Sequence, residues 1–142
     1  MLVELFGRIK VIDDEIIIRS IYNRGNIKAN DKNNGGIIGG GAETINDISK
    51  IKIMYSFNVG KNSSKMANQI VPNYATVTDS YYPTMTVNKS GYGISLPLRK
   101  FLYIPGETDM VYKKLRDAED VWGLDPELNI ILAWQMDGWQ FE

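Results

Sequence analysis

The sequence predicts an α+β fold: a mainly antiparallel β-sheet made of hairpins, with one substantial C-terminal helix packed on it. Two patterns predict the sheet. Apolar and polar residues alternate strictly over 51–59, which is typical of a strand with one buried face. Two apolar runs within residues 1–22 are separated by Asp13-Asp14, as in a hairpin. The helix is predicted by four apolar residues at helical spacing, which are Val111, Leu115, Ala118 and Trp122.

The first hairpin is followed by a change in composition. Alternation over 3–11 predicts a strand with one solvated face, whereas Ile16-Ile17-Ile18 predicts a second strand that is covered on both faces. From residue 23 to 41 the chain is rich in Asn, Lys, Asp and Gly. We expect a flexible loop at about 23–41 within a single domain that spans 1–142. So long a connection is uncommon in a compact domain unless it binds something or lines a site.

The second half of the chain predicts another hairpin. Its strands fall within 74–87 and 94–104. Because proline cannot donate to a strand ladder, Pro83 predicts an edge or a bulge, and Pro97 predicts that an edge of the sheet runs through the later strand. No internal repeat is evident.

The C-terminal region predicts the helix and a less regular end. Thr108 is a candidate N-cap, and Gly123 follows the last turn. Asp125-Pro126-Glu127 has the pattern of a second helix start. Residues 128–136 fit either a helix or a strand, and we expect a turn of helix followed by a strand.

The chain contains no histidine and no cysteine. General acid–base catalysis near pH 7 would therefore need a strongly shifted pKa on a carboxylate, lysine or tyrosine, and Ser-His and Cys-His nucleophiles are excluded. Zinc and iron–sulfur sites are excluded too, which leaves oxygen-binding cations such as Ca²⁺ or Mg²⁺. The composition favours contact surfaces over catalysis.

The motifs that could replace this chemistry fail at particular residues. The glycines at 39–41 invite a phosphate-binding loop, but no Lys-Ser/Thr follows them, and Thr44 stands where a dinucleotide motif needs its third glycine. The acidic run 117–123 departs from a calcium loop at Trp122 and Leu128, where glycine and glutamate are required. We therefore expect no enzymatic activity, no cofactor and no metal site.

Charge is distributed unevenly along the chain. Residues 1–100 hold 13 Lys and Arg against 8 Asp and Glu, whereas 101–142 hold 3 against 9, so the two parts carry +5 and −6. Opposite charges of this kind either attract subunits head to tail or neutralise each other within one fold. The basic residues are too sparse to favour nucleic acid.

No signal peptide or transmembrane segment is predicted. The chain has no apolar run of about 18 residues, and its start lacks a basic region followed by an apolar one. We expect a cytoplasmic protein, or one held within a virion or other assembly, with no membrane partner.

Candidate binding residues come from the glycine cluster, nearby lysines and the aromatic residues. Tyr81 and Tyr82 adjoin the predicted edge strand, where exposed aromatic rings and an open edge would suit a partner. The full set is Gly39, Gly40, Gly41, Lys50, Lys52, Tyr81, Tyr82 and Trp139.

The sequence favours a non-catalytic module that binds itself or a protein partner, such as a subunit of a virion or phage particle, and we expect a homo-oligomer. The alternative is a protein that binds a nucleotide or other small anion with the Gly-rich loop and surface aromatic residues.

Overall fold

The chain folds around a stack of short parallel strands. The structure is a computed structural model that describes residues 6–12, 15–28, 35–37, 51–61, 76–84 and 93–137. One sheet contains β1 (Phe6–Ile12), β2 (Glu15–Asn23), β3 (Ile51–Met54), β4 (Phe57–Asn58), β5 (Thr76–Thr78), β6 (Tyr81–Pro83) and β7 (Ile94–Leu96). Its order is β5-β3-β2-β4-β6-β7, and every pair along this path is parallel. The prediction of a mainly antiparallel sheet of hairpins is therefore wrong.

The pairing registers show that successive strands stack as turns of a coil. β2 pairs with both β3 and β4 at a constant offset of 35 residues, and β3 and β4 pair with β5 and β6 at a constant offset of 24. The partners that fix these offsets are Ile16↔Ile51, Tyr22↔Phe57, Lys52↔Thr76 and Phe57↔Tyr81. β3 and β4 are thus the two halves of one bent strand, and so are β5 and β6.

The bend recurs at the same position in each coil. Ser20, Tyr55 and Asp79 have φ values of 56°, 51° and 44°, and the two register offsets align all three. A left-handed residue is unusual outside glycine and interrupts the regular geometry of a strand. The left-handed Tyr55 splits the alternating pattern over 51–59 into two parts. Ile51 and Ile53 contribute to one hydrophobic cluster, whereas Phe57 contributes to another.

The two clusters lie on opposite faces of the second half of the sheet, because neighbouring residues of a strand point to opposite faces. Tyr81 belongs to the first cluster and Tyr82 to the second. The second cluster consists of Ile18, Ile21, Ile37, Ile53 and Tyr82.

The first cluster is closed by the C-terminal elements. These are α1 (Val111–Ala118), β8 (Trp122–Leu124) and β9 (Ile130–Leu132), of which β8 and β9 form a separate antiparallel pair. Trp122 is fully buried against an aromatic stack: its ring centroid lies 5.5 Å from that of Phe57, and the Tyr22 and Phe57 rings stack at 5.3 Å. These aromatic contacts hold the C-terminal unit on one face of the sheet.

The predicted C-terminal helix is correct in place but shorter than expected. α1 has eight residues and buries Val111 and Leu115. It ends at Glu119, whose backbone is extended, so Trp122 lies in a strand. The stripe at helical spacing therefore covers a helix and the strand that follows it.

The region after β8 also differs from the expectation. Asp125 does not start a helix; its carboxylate accepts hydrogen bonds from the amides of Glu127 and Asn129 at 2.9 and 2.8 Å and closes the β8–β9 turn. A strand then precedes a 3₁₀ turn over Ala133–Asp137, which is the reverse of the predicted order.

The two prolines meet different outcomes, because β7 beside Pro97 is an edge strand whereas the strand that holds Pro83 is not. Pro83 belongs to β6, which lies between β4 and β7 and is therefore not an edge strand. It is tolerated because the described pairing with β4 is confined to Tyr81, two residues earlier. Pro97 follows β7 and precedes a 3₁₀ turn, so this strand ends well before residue 104.

Other expectations meet mixed outcomes. β1 and β2 pair antiparallel, as the first predicted hairpin requires. Within the proposed loop at 23–41, Asn23 belongs to β2 and Gly35, Gly36 and Ile37 are buried, whereas Asn26 and Lys28 are exposed. No helix in the described ranges is long and apolar enough to cross a membrane.

Candidate interaction surface

Buried serines at the bend connect successive coils. The Ser56 hydroxyl accepts a hydrogen bond from the Ile21 amide at 3.2 Å and donates one to the Met54 carbonyl at 2.8 Å. One coil further on, the Ser80 hydroxyl accepts from the Ser56 amide at 3.2 Å and donates to the Thr78 carbonyl at 3.0 Å. Both serines are fully buried. This ladder satisfies backbone groups at the bend, where regular strand pairing is interrupted.

Two buried asparagines form a second ladder beyond the bend. The side-chain amide nitrogen (Nδ2) of Asn23 donates to Asn58 Oδ1 and to the Gly25 carbonyl, both at 3.0 Å. Asn58 Oδ1 also accepts from the Gly60 amide at 3.1 Å. A Cβ atom on Gly60 would lie 2.1 Å from the Gly25 carbonyl oxygen, so the two coils approach this closely only with glycine there.

The C-terminal unit is anchored to the stack by two polar contacts. The Glu119 carboxylate pairs with the Arg19 guanidinium and accepts a hydrogen bond from the Ser20 hydroxyl. The Arg24 guanidinium donates to the carbonyl oxygen of Ile130. These contacts join the C-terminal unit to the stack at the bend and just after the end of β2.

β1 is the terminal strand at one end of the stack, and no strand among the described residues pairs with its outer edge. β1 pairs with both halves of β2, from Phe6↔Tyr22 to Ile12↔Glu15. Because β1 occupies that edge of β2, β3 and β4 share the other edge. The stack therefore grows in one direction only, from β2 toward β7.

The opposite end, formed by the outer edges of β5 and β7, is here named the open end. In the described part of the chain, no strand pairs with these two edges. The Ile94 amide donates to the Ser80 carbonyl and the Thr84 amide donates to the Leu96 carbonyl. Because N–H and C=O groups alternate in direction along a strand, those of Ser95 point away from β6. The open end thus presents a backbone donor and acceptor at one residue.

Exposed apolar side chains concentrate beside this edge. Among the described residues, seven large hydrophobic side chains are exposed, and four of them fall within 94–104. These four are Ile94, Leu98, Leu102 and Ile104. Ile94 continues the aromatic column of Tyr22, Phe57 and Tyr81, yet it is 43% exposed because it is the last residue of that column. Clustered exposed apolar residues are typical of interaction sites.

A small ion-pair network follows the apolar segment. Asp109 contacts Lys100 at 3.1 Å and Lys114 at 3.0 Å. Hydrogen bonds from Lys114 and Lys100, with their positive charges, lower the pKa of the Asp109 carboxyl below its ordinary value. The network fixes the connection between β7 and α1.

The binding residues proposed from the sequence either lie in the core, form an ion pair or fall outside the described residues. Tyr81 and Tyr82 are 6% and 4% exposed, so both rings belong to the core instead of offering an aromatic surface. Burial, followed by the charges of Asp79 and Tyr55, raises the pKa of the Tyr81 hydroxyl. Lys52 pairs with Glu15 at 2.7 Å. Gly39, Gly40, Gly41, Lys50 and Trp139 lie outside the described residues.

The sequence does not reveal the open end. Ile94, Leu96 and Leu98 fit the alternation of a hairpin strand, and alternation within a strand gives no sign of which side chain will lack a neighbour. The one available signal is Pro97, which predicts an edge. The edge expected near Pro97 is confirmed in β7, the last strand of the path, whereas the edge expected at Pro83 is wrong because β6 lies between β4 and β7.

Nothing in the described part of the chain suggests a metal centre, since no group of three or more acidic side chains is placed to hold a cation. The chain matches no protein family model, no curated protein and no solved structure. Its function must therefore be argued from its own surface.

Proposed function

We propose that the protein is a non-catalytic, self-associating module that joins other copies of itself through the open end of the strand stack, as a subunit of a larger assembly. The observation that carries the proposal is the run of exposed apolar side chains that begins in β7, a strand whose outer edge is paired by no strand in the described part of the chain. An edge of this kind is a template for pairing with another chain.

The energetics favour burial of the open end. Ile94 lies at the end of an otherwise buried column and is 43% exposed, so covering the rest of it contributes roughly 0.6–1.3 kcal/mol, the corresponding share of the about 1.5–3 kcal/mol for a whole side chain. The exposed Leu98 and Leu102 add apolar area in the same short segment. A contact that covers this surface would continue the packing that stabilises the stack itself.

Light scattering after size-exclusion chromatography, over a range of protein concentrations, tests the proposal. We expect a molar mass above that of the monomer for the wild-type chain and a large shift toward the monomer for Ile94→Lys, because a charge would then be buried in the contact. Leu128→Lys is the matched control: Leu128 is 46% exposed, close to the 43% of Ile94, but lies in the β8–β9 turn.

Two outcomes would contradict the proposal. One is a wild-type monomer at every concentration up to the millimolar range. The other is an equal loss of association in the Ile94 and Leu128 variants, which would show that the contact does not involve the open end.

The alternative function, binding of a small anion, is favoured by no observation on the described residues. Lys52 is engaged with Glu15, and the two tyrosine rings are buried. Its test is a thermal-shift series with inorganic phosphate and nucleotides, in which a binder raises the melting temperature with the logarithm of its concentration.

A further inference from the structure

We infer that Met136 is a site of reversible oxidation, at which hydrogen peroxide converts the thioether to a sulfoxide and loosens the 3₁₀ turn over Ala133–Asp137 from the β8–β9 pair. This inference concerns the C-terminal unit and does not depend on the proposed function. It follows from the sulfur chemistry of the chain, the exposure of Met136 and the contacts of its sulfur atom.

Methionine supplies all of the sulfur in this chain, which has six methionines and no cysteine. An oxidant that would react first with a thiolate in other proteins therefore meets only thioethers here, and exposure decides which of them reacts. In the described part of the chain, Met136 is 58% exposed, Met54 is partly buried and Met110 is 1% exposed. Among these three, Met136 is the methionine that peroxide reaches most readily.

The Met136 sulfur packs against the backbone of β8. A Cβ atom on Gly123 would lie 2.6 Å from Met136 Sδ and 3.2 Å from Ala133 Cα, so the 3₁₀ turn approaches this strand closely only because residue 123 is glycine. Neighbouring residues of a strand face opposite ways, and Trp122 faces the first cluster. The 3₁₀ turn therefore covers the other face of β8, where the sulfur is its closest contact.

The residue before Met136 anchors the same turn by hydrogen bonds. Gln135 Oε1 accepts from the Tyr22 hydroxyl and from the Leu132 amide, both at 2.9 Å. Because Gln135 and Met136 are adjacent, a movement of the sulfur away from Gly123 also displaces the oxygen that the Leu132 amide uses. The sulfur contact and the hydrogen bonds of Gln135 thus hold the turn together, and the Leu132 amide reports on both.

Oxidation changes the chemistry of this contact. A lone pair of the Met136 sulfur forms a bond to one oxygen atom of hydrogen peroxide, the O–O bond breaks, and water leaves; the sulfur loses two electrons and the peroxide gains them. No further atom fits between the sulfur and Gly123, so the new oxygen has to be hydrated on the outer side. A polar sulfoxide packs less favourably on the glycine backbone than a thioether does, and we expect the turn to open.

Treatment of the full chain with dilute hydrogen peroxide, followed by peptide mass spectrometry, tests the site. We expect Met136 to gain an oxygen atom several-fold faster than Met110 in the folded chain, because Met110 is buried. In urea the two rates should become similar, since unfolding removes the protection of Met110. Equal rates at Met136 and Met110 in the folded chain would overturn the inference.

Amide hydrogen exchange, measured residue by residue by NMR, tests the consequence. The Leu132 amide should exchange several-fold faster after oxidation, because it loses its acceptor on Gln135. The Asn129 amide is the control in the same unit: it donates to the Asp125 carboxylate at 2.8 Å in the β8–β9 turn and should be unchanged. Treatment with methionine sulfoxide reductases for both sulfoxide epimers should restore the original rate at Leu132.

Three variants separate Met136 from the other methionines. In Met136→Leu, which keeps a similar volume and cannot be oxidised, the Leu132 amide should not respond to peroxide. Met54→Leu is the matched control and should respond as the wild type does. Met136→Gln places a polar side chain against Gly123 and should speed the exchange of the Leu132 amide without any oxidant. An unchanged Leu132 amide in the fully oxidised wild type, or an equal response in Met136→Leu, would overturn the inference.

Discussion

Replacing Ser56 with alanine should destabilise the protein by about 2–3 kcal/mol, although the side chain loses a single oxygen atom. The Ser56 hydroxyl makes two hydrogen bonds, one from the Ile21 amide and one to the Met54 carbonyl, and the residue is fully buried. A buried hydrogen bond contributes about 1–1.5 kcal/mol, and a partner left without water costs at least as much. Two such bonds give the stated magnitude.

Urea denaturation followed by tryptophan fluorescence measures this change, since Trp122 is buried in the core. At roughly 3 °C per kcal/mol for a chain of this size, the melting temperature should fall by about 6–9 °C. Ser95→Ala is the matched control: the same atom is removed from an exposed serine whose hydroxyl faces Thr84 at 3.3 Å, and we expect a change of under about 0.5 kcal/mol. Both variants are compared at one protein concentration, because association would shift apparent stability.

The reasoning would be refuted if Ser56→Ala and Ser95→Ala had the same unfolding free energy. That result would mean that the backbone groups at the bend find other partners, and that the serine ladder does not hold the coils in register.

Three further predictions test other parts of the fold. Gly60→Ala should cost about 3 kcal/mol or more in chemical denaturation, because its Cβ would lie 2.1 Å from the Gly25 carbonyl oxygen; a near-neutral result would contradict the close approach of the coils. Asp109→Asn should flatten the fall of the unfolding free energy in acid. Hydrogen bonds, first from Lys114, lower the folded pKa of this carboxyl, so its contribution is present above the unfolded pKa and is lost as pH falls through the folded pKa. The wild type should therefore be more stable than the variant above about pH 4, and the difference should disappear as the pH falls below that value. Tyr81→Phe should change the stability at alkaline pH, because burial raises the folded pKa of the hydroxyl. The contribution of this hydroxyl to the unfolding free energy is present below about pH 10 and is lost above it. A spectrophotometric titration should show one tyrosine fewer among the last to ionise.

The strand pattern was predictable, but its partners were not. The alternation over 51–59 marks the segment that forms β3 and β4. Alternation reports that side chains face two ways, and it does not report whether the neighbouring strand runs parallel or antiparallel. Short turn-like segments between strands favoured hairpins, and the pairings across 35 and 24 residues gave no local signal.

The structural repeat was hidden for a related reason. Residues 16–25 and 51–60 share apolar, aromatic, asparagine and glycine positions once aligned by 35, but the next coil follows after only 24. A repeat of variable length leaves no fixed period to detect. The left-handed residues that bend each coil are Ser20, Tyr55 and Asp79, which have no common side chain that would reveal their shared conformation.

The candidate interaction surface was predictable only in outline. The sequence favours aromatic residues at an edge, yet Tyr81 and Tyr82 are buried because β6 lies between two other strands. Nothing in the sequence indicates that Ile94 is exposed whereas Tyr81, with which it pairs, is buried. Its exposure follows from being the last residue of a column, which is a property of the assembled stack.

The amino-acid sequence by itself determined the chemistry that is excluded, since a chain without histidine and cysteine has no thiol or imidazole to offer. It also determined where strand-forming and helix-forming segments lie, because periodicity is local. The tertiary structure alone decided that β2 to β7 pair in parallel, that three coils bend at a left-handed residue and that β1 ends the stack on one side and β5 and β7 end it on the other. These depend on which distant segments lie side by side, and the free energy of that pairing comes from burial and backbone hydrogen bonds that no single segment contains.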